Sequence, residues 1–202
     1  MTELASQGAS AWNKGWYRFA RHLHSPNFGP RPLGVTTDLL VLHSISLPPG
    51  VYGGEYVQQL FTNRLDWDAH PYFQAIRGLQ VSAHFYIQRQ GELWQFISCD
   101  DRAWHAGVST HQGRENCNDF SIGIELEGLE GDRFEAPQYE TLLALVPAIA
   151  QHYALTGIVG HEHIAPGRKA DPGVGLDWPL LQTALGLPAQ YFPDSVQIKN
   201  KV

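Results

Sequence analysis

The chain has 202 residues, 43% hydrophobic and 17% charged, which gives one domain enough apolar material for a core and argues against a disordered or fibrous chain. The formal charge of −6, from 14 Lys+Arg against 20 Asp+Glu, argues against nucleic-acid binding, because holding phosphates needs clustered positive charge. No window approaches the ~20 apolar residues of a membrane span, and residues 1–20 lack the ~7–15-residue apolar run of an export signal. A cytoplasmic protein is therefore expected, with Cys99 and Cys117, which lack CxxC spacing, as reduced thiols.

Residues 1–37 are polar and turn-rich (Ser25-Pro26-Asn27, Pro30, Pro32), with only short helical pieces expected. The apolar run 38–42 predicts a buried strand, too short for an amphipathic helix, that delivers His43 at its end. Pro48-Pro49-Gly50 and Gly53-Gly54 force a loop. A short helix is expected over 55–62, then an irregular excursion to Gly78. Strands are expected over 81–88 and, after a Gln90-Gly91 turn, over 92–97. A further strand, 121–126, carries apolar residues on alternate positions. Leu142, Leu145, Val146, Ile149 and Tyr153 form an i, i+3, i+4 stripe that predicts a helix over 137–153, kinked at Pro147. A short strand at 158–160 leads into His161, and a last helix spans 178–185. Without a regular βαβ repeat, this order predicts a single α/β domain on a central mixed sheet flanked by helices.

Two histidines and one aspartate stand out by position. His43 and His161 each follow an apolar strand, and Asp171 lies in a proline-stiffened loop. Two imidazoles and a carboxylate from separate loops can make a three-ligand zinc site with the fourth position open. Core histidines plus a turn aspartate are the competing reading, and spacing alone leaves both open. His163 would point away from His161 in an extended segment, so it is expected to be solvated or to support a ligand. Glu125 is a carboxylate inside an apolar strand, costly there unless partnered. It reads either as a general base beside a metal or as a structural partner of a histidine or arginine.

Five blocks in order carry a resemblance. They are Leu40 to Gly50 (LVLHSISLPPG), Val81 to His84 (VSAH), Arg102 to Gly107 (RAWHAG), Asn118 to Gly128 (NDFSIGIELEG), and Gly160-His161 followed by Ile164 to Gly173 (IAPGRKADPG). Together they resemble the cytosolic 1,6-anhydro-N-acetylmuramyl-L-alanine amidases of the AmpD type, which are related to lysozyme-type phage amidases and peptidoglycan-recognition proteins. The resemblance covers about 25–185. It implies an amidase domain over 25–186, with an N-terminal extension (1–24) and a C-terminal tail (187–202).

The resemblance further implies a Zn2+ cofactor held by His43, His161 and Asp171, with Glu125 as catalytic acid/base and Lys169 stabilising the transition state. Trp104 and His105 are implied to border the substrate, with Ser44 in place of the usual asparagine. His84 is expected to be a buried strand histidine. The implied reaction cleaves the amide between N-acetylmuramic acid and L-alanine in soluble muropeptides during cell-wall recycling, performed by a monomer. A periplasmic amidase acting on polymeric wall would need an export signal. A non-catalytic binding module would lack one of the five site residues. A serine hydrolase is not supported, for no G-x-S-x-G occurs.

Overall fold

The computed structural model describes residues 10–196. The expected tails therefore lie partly outside the described residues, at 1–9 and 197–202. Four short strands come first: β1 (Trp12–Asn13), β2 (Trp16–Tyr17), β3 (Arg21–His22) and β4 (Phe28–Gly29). Then follow β5 (Leu39–Ile45), α1 (Tyr56–Phe61), α2 (Pro71–Ala75), β6 (Phe85–Ile87) and β7 (Leu93–Gln95). The two-residue strands β8 (Arg102–Ala103), β9 (Thr110–His111) and β10 (Arg114–Glu115) lead to β11 (Ser121–Glu127). The chain ends through α3 (Ala136–His152), β12 (Gly157–Gly160), α4 (His161–Ile164) and α5 (Trp178–Leu185).

Six strands form one mixed sheet in the order β12-β5-β11-β6-β7-β3. The β12-β5, β5-β11 and β11-β6 pairs are parallel, and β6 pairs antiparallel with β7. Every residue of β11 and β12 is buried, as are Leu39 to His43 of β5. That is how parallel strands covered on both faces read, as continuous apolar runs. Leu40, Leu42, Ile122 and Ile124 face Leu142, Leu145, Val146 and Ile149 of α3 in the largest core cluster. A second cluster packs α1 and α2 through Val57, Phe61 and Phe73 against Tyr86, Phe96 and Ala103.

The expected elements appear with some differences, among them the strand expected over 92–97, which is only Leu93–Gln95. The strand at 38–42 runs on to Ile45, so His43 sits inside it, because β11 continues to pair with β5 as far as Glu127 opposite Ile45. The strand expected over 81–88 is only Phe85–Ile87: Ser82 and His84 send their N–H groups to Trp104 and Gly123, outside the β6–β7 ladder. No helix occurs among the described residues before Tyr56, and α2 lies inside the expected irregular excursion.

Gly91 has φ +83°, and a Cβ there would come within 2.8 Å of the Pro137 carbonyl oxygen, so the turn onto α3 requires glycine. α3 is capped where Glu135 N–H donates to Gln138 Oε1, and it continues through Pro147 to His152. Gln138 ties α3 to the sheet by donating to the Ile87 and Glu127 carbonyls.

The segment at 10–24, expected as an extension, contributes to this same fold. β3 adds to the sheet edge beside β7, Tyr17 joins the main core, and Trp12 Nε1 donates to the Ala148 carbonyl of α3. At the other end Phe192 is buried in the main core. Cys99 and Cys117 are free and buried. No helix among the described residues is long and apolar enough to cross a membrane.

Candidate metal centre and active site

The site forms where the parallel strands end. His43 lies near the C-terminal end of β5, Glu125 faces it in register on β11, and His161 directly follows β12. Open α/β sheets gather ligands at this edge because loops leave several strand ends together there. Asp171 returns to the same place in the loop after α4, where its carbonyl accepts from Glu162 N–H.

The three residues converge on one point. His43 Nδ1 lies 3.0 Å from His161 Nδ1 and 3.2 Å from Asp171 Oδ2, and His161 Nδ1 lies 3.1 Å from Asp171 Oδ2. Three mutual contacts of this kind cannot all be hydrogen bonds. A ring nitrogen holds either a proton or a lone pair, so any protonation leaves one pair of like groups face to face. A cation at the centre removes that conflict. Donor atoms on a tetrahedral zinc with bonds of about 2.0–2.1 Å stand roughly 3.3–3.4 Å apart, close to this spacing. The donor set, two imidazoles and a carboxylate, also suits zinc. His43, His161 and Asp171 form the one potential metal-binding cluster among the described residues.

Burial sets the charge states. It pushes His43 down to about 4 and His105 well below its ordinary value, so both imidazoles are neutral at pH 7. Burial alone would raise Asp171, but its close contacts with the His161 and His43 rings, at 3.1 and 3.2 Å, shift it down instead.

A cavity of about 290 Å³ opens over these atoms. Lys169, Glu125 and Ser44 line it on the polar side; Trp104, Leu47 and Phe61 line it on the apolar side. The long excursion after β5 therefore supplies a wall of the cavity. Glu125 is buried, and its Oε2 has no partner. Burial, reinforced by the Asp171 charge, raises its carboxyl well above the ordinary value, while Lys169 opposes the shift. The Ser44 hydroxyl is likewise buried and unpartnered. Lys169 is solvent-exposed, and Trp104 is half-buried.

The histidines outside the triangle sort clearly. His163 sits in α4, one helical turn rather than an extended segment, because His161 O accepts from Ala165 N–H. Two residues on, its ring still points elsewhere, and its Nδ1 accepts from Gly160 N–H. It supports the start of α4 rather than standing in solvent. His84 is fully buried and accepts the Gly123 N–H at Nδ1. His105, implied to contact substrate, reaches the cavity, yet both its ring nitrogens are engaged within the protein. Nδ1 lies 2.9 Å from His43 Nε2, and Nε2 lies 3.1 Å from Ser121 Oγ.

Sequence reasoning passed over Asn118, Ser121 and Arg31. Arg31 comes from the loop before β5 and donates to the Asn118, Asp119, Ser121 and Cys99 carbonyls, clamping the entry to β11. Asn118 and Ser121 lie within a quoted block, but polar residues beside a strand start carry no signal of what they touch.

Residues 33–174 match the family described as N-acetylmuramoyl-L-alanine amidase. The AmpD 1,6-anhydro-N-acetylmuramyl-L-alanine amidase of Escherichia coli K12 is 50% identical over 167 residues, 82% of this chain and 91% of the relative. A crystal structure of a selenomethionine AmpD derivative superposes with a TM-score of 0.83 at 48% identity, covering 86% of this chain and 98% of that one. The Escherichia coli amidase AmiD, in complex with anhydro-N-acetylmuramic acid-L-Ala-D-γ-Glu-L-Lys, gives a TM-score of 0.54 at 26% identity, covering 76% of this chain and 60% of that one.

Proposed function

Because the chain belongs to the N-acetylmuramoyl-L-alanine amidase family, we propose that it is a zinc-dependent hydrolase that cleaves the amide between 1,6-anhydro-N-acetylmuramic acid and L-alanine in soluble muropeptides. The observation that carries the zinc reading is the convergence of His43, His161 and Asp171 on one point, with the unpartnered Glu125 carboxyl in the same cavity. The soluble anhydro substrate is supported by the activity named for the AmpD relatives. A cytoplasmic place in cell-wall recycling goes with that substrate.

His43, His161 and Asp171 would hold the zinc ion, which supplies Lewis acidity toward the scissile carbonyl and toward water. The protein's own groups handle the protons. Glu125, its carboxyl raised by burial, takes the proton of the attacking water and passes it to the departing alanine nitrogen. A carboxylate whose value is raised is a stronger base than an ordinary one. Lys169, two residues before Asp171 and lining the same cavity, offsets charge growing on the carbonyl oxygen. Trp104 and Leu47 form an apolar wall for the sugar, and the Ser44 hydroxyl offers a hydrogen bond to substrate.

The test is incubation of the purified protein with 1,6-anhydromuramyl-tripeptide, with and without a chelator, and with intact sacculi in parallel. Chelator-sensitive release of free tripeptide is expected, faster than from sacculi. Release that ignores the chelator would overturn the zinc reading, and faster release from sacculi would overturn the soluble substrate.

A further inference from the structure

The hydrogen bonds behind the metal triangle have only one consistent direction. Ser121 Oγ lies 2.5 Å from the Cys117 carbonyl, which can only accept, so the hydroxyl spends its one proton there. Ser121 Oγ must then accept from His105, which places a proton on His105 Nε2. His105 is buried, and its ring nitrogens meet only Ser121 Oγ and His43 Nε2, with no carboxylate to offset a second proton, so its Nδ1 is bare. His105 Nδ1 therefore accepts from His43 Nε2–H, which leaves the His43 Nδ1 lone pair pointing at the triangle.

The second imidazole is set from the same place. His161 Nε2 lies 3.1 Å from the Ala106 carbonyl, which can only accept, so Nε2 carries a proton and Nδ1 is the nitrogen that the neutral ring leaves bare. His105 and Ala106 are consecutive, and both of their N–H groups donate to one atom, Asn118 Oδ1, at 3.0 and 2.8 Å. Asn118 and Ser121 are buried at the head of β11. They thus hold the ring that orients one ligand and the carbonyl that orients the other.

We infer that Asn118 and Ser121 are positioning residues that fix both ligand imidazoles with Nε2 protonated and Nδ1 bare before any metal arrives. The inference deepens the zinc reading and rests on it, since bare Nδ1 atoms matter only if a metal takes them. Partners of this kind typically change metal affinity about 10–100-fold when removed.

The experiment uses the full chain, metal-free, labelled with 15N at histidine. Long-range 15N–1H spectra report which ring nitrogen carries the proton, and chelator competition reports zinc affinity. In the unmodified protein, His43 and His161 are expected as Nε2–H rings, and a His43 ring protonated at Nδ1 overturns the inference without any variant. In Ser121→Ala the single tautomer at His43 and His105 should be lost and zinc affinity should fall about 10-fold. Asn118→Ala should fall further, because it releases both histidines. A loss below threefold in Ser121→Ala, with the protein folded by circular dichroism, overturns the inference. If the unmodified protein takes up no zinc, the metal centre itself is refuted. The tautomer spectrum then decides the hydrogen-bond chain, which Nε2–H supports and Nδ1–H overturns.

Discussion

His43 and Glu125 stand opposite each other in parallel register on the neighbouring strands β5 and β11. Residues paired across parallel strands share a sheet face, so the register puts a ring of the metal triangle and an unpartnered carboxyl on one side of the sheet. The pairing also makes Glu125 costly in the metal-free protein, because a buried carboxylate without a partner has lost its water.

That cost gives the first prediction. The carboxyl of Glu125 is raised in the folded chain, so ionising it opposes folding. The penalty is absent below the unfolded value, grows as pH rises through the window above 4.5, and is present at neutral pH. Metal-free Glu125→Gln should therefore melt about 2–12 °C above wild type at pH 7.5, taking a penalty of about 1–3 kcal/mol. The gap should close as the pH approaches 4.5. Calorimetry across that range checks it, and a variant less stable at pH 7.5 would contradict the shift.

The same substitution should abolish most turnover. Losing a general base typically costs about 10²–10⁴ in rate. Lys169→Ala should lose about 10²–10³ if its charge faces the developing oxyanion. Both should retain zinc and bind substrate nearly as well as wild type, since these interactions strengthen in the transition state. Turnover within threefold of wild type in both variants would refute the assigned roles.

Metal content separates the two neighbouring histidines of α4. His161→Ala should lose most bound zinc, because it removes one corner of the triangle. His163→Ala should keep it, because that ring serves the Gly160 N–H instead. Elemental analysis of the two proteins decides the point, and equal zinc in both would sink the assignment.

Gly123 offers a test without touching a polar group. A Cβ there would lie 2.5 Å from His105 Cγ and 2.7 Å from its Nδ1, distances no packed side chain tolerates. Gly123→Ala should push the His105 ring off His43 and weaken zinc binding about 10-fold or more. Gly29→Ala, whose Cβ would meet nothing within 4 Å and whose backbone is not left-handed, controls for the loss of a glycine. If the two variants bind zinc equally, the close packing at Gly123 has no bearing on the site.

The sequence by itself determined the α/β architecture, the main helix and the identity of the converging residues. Continuous apolar runs at 39–42 and 158–160 mark strands buried on both faces, and the stripe from Leu142 to Ile149 marks the covered face of α3. Those patterns are legible because burial follows the periods of strand and helix, which a linear chain records directly. Ordered motifs then singled out His43, His161, Asp171, Glu125 and Lys169.

Only the tertiary structure decided how far β5 continues past His43, that His163 supports a helix start, and that the His105 ring is engaged with His43 and Ser121. It also decided which nitrogen of each imidazole faces the centre. A ring's orientation is set by hydrogen bonds of about 3 Å to groups such as Ser121, Asn118 and the Ala106 carbonyl. Those contacts are made by atoms distant along the chain, and periodicity, which records only the face a residue occupies, leaves no trace of them.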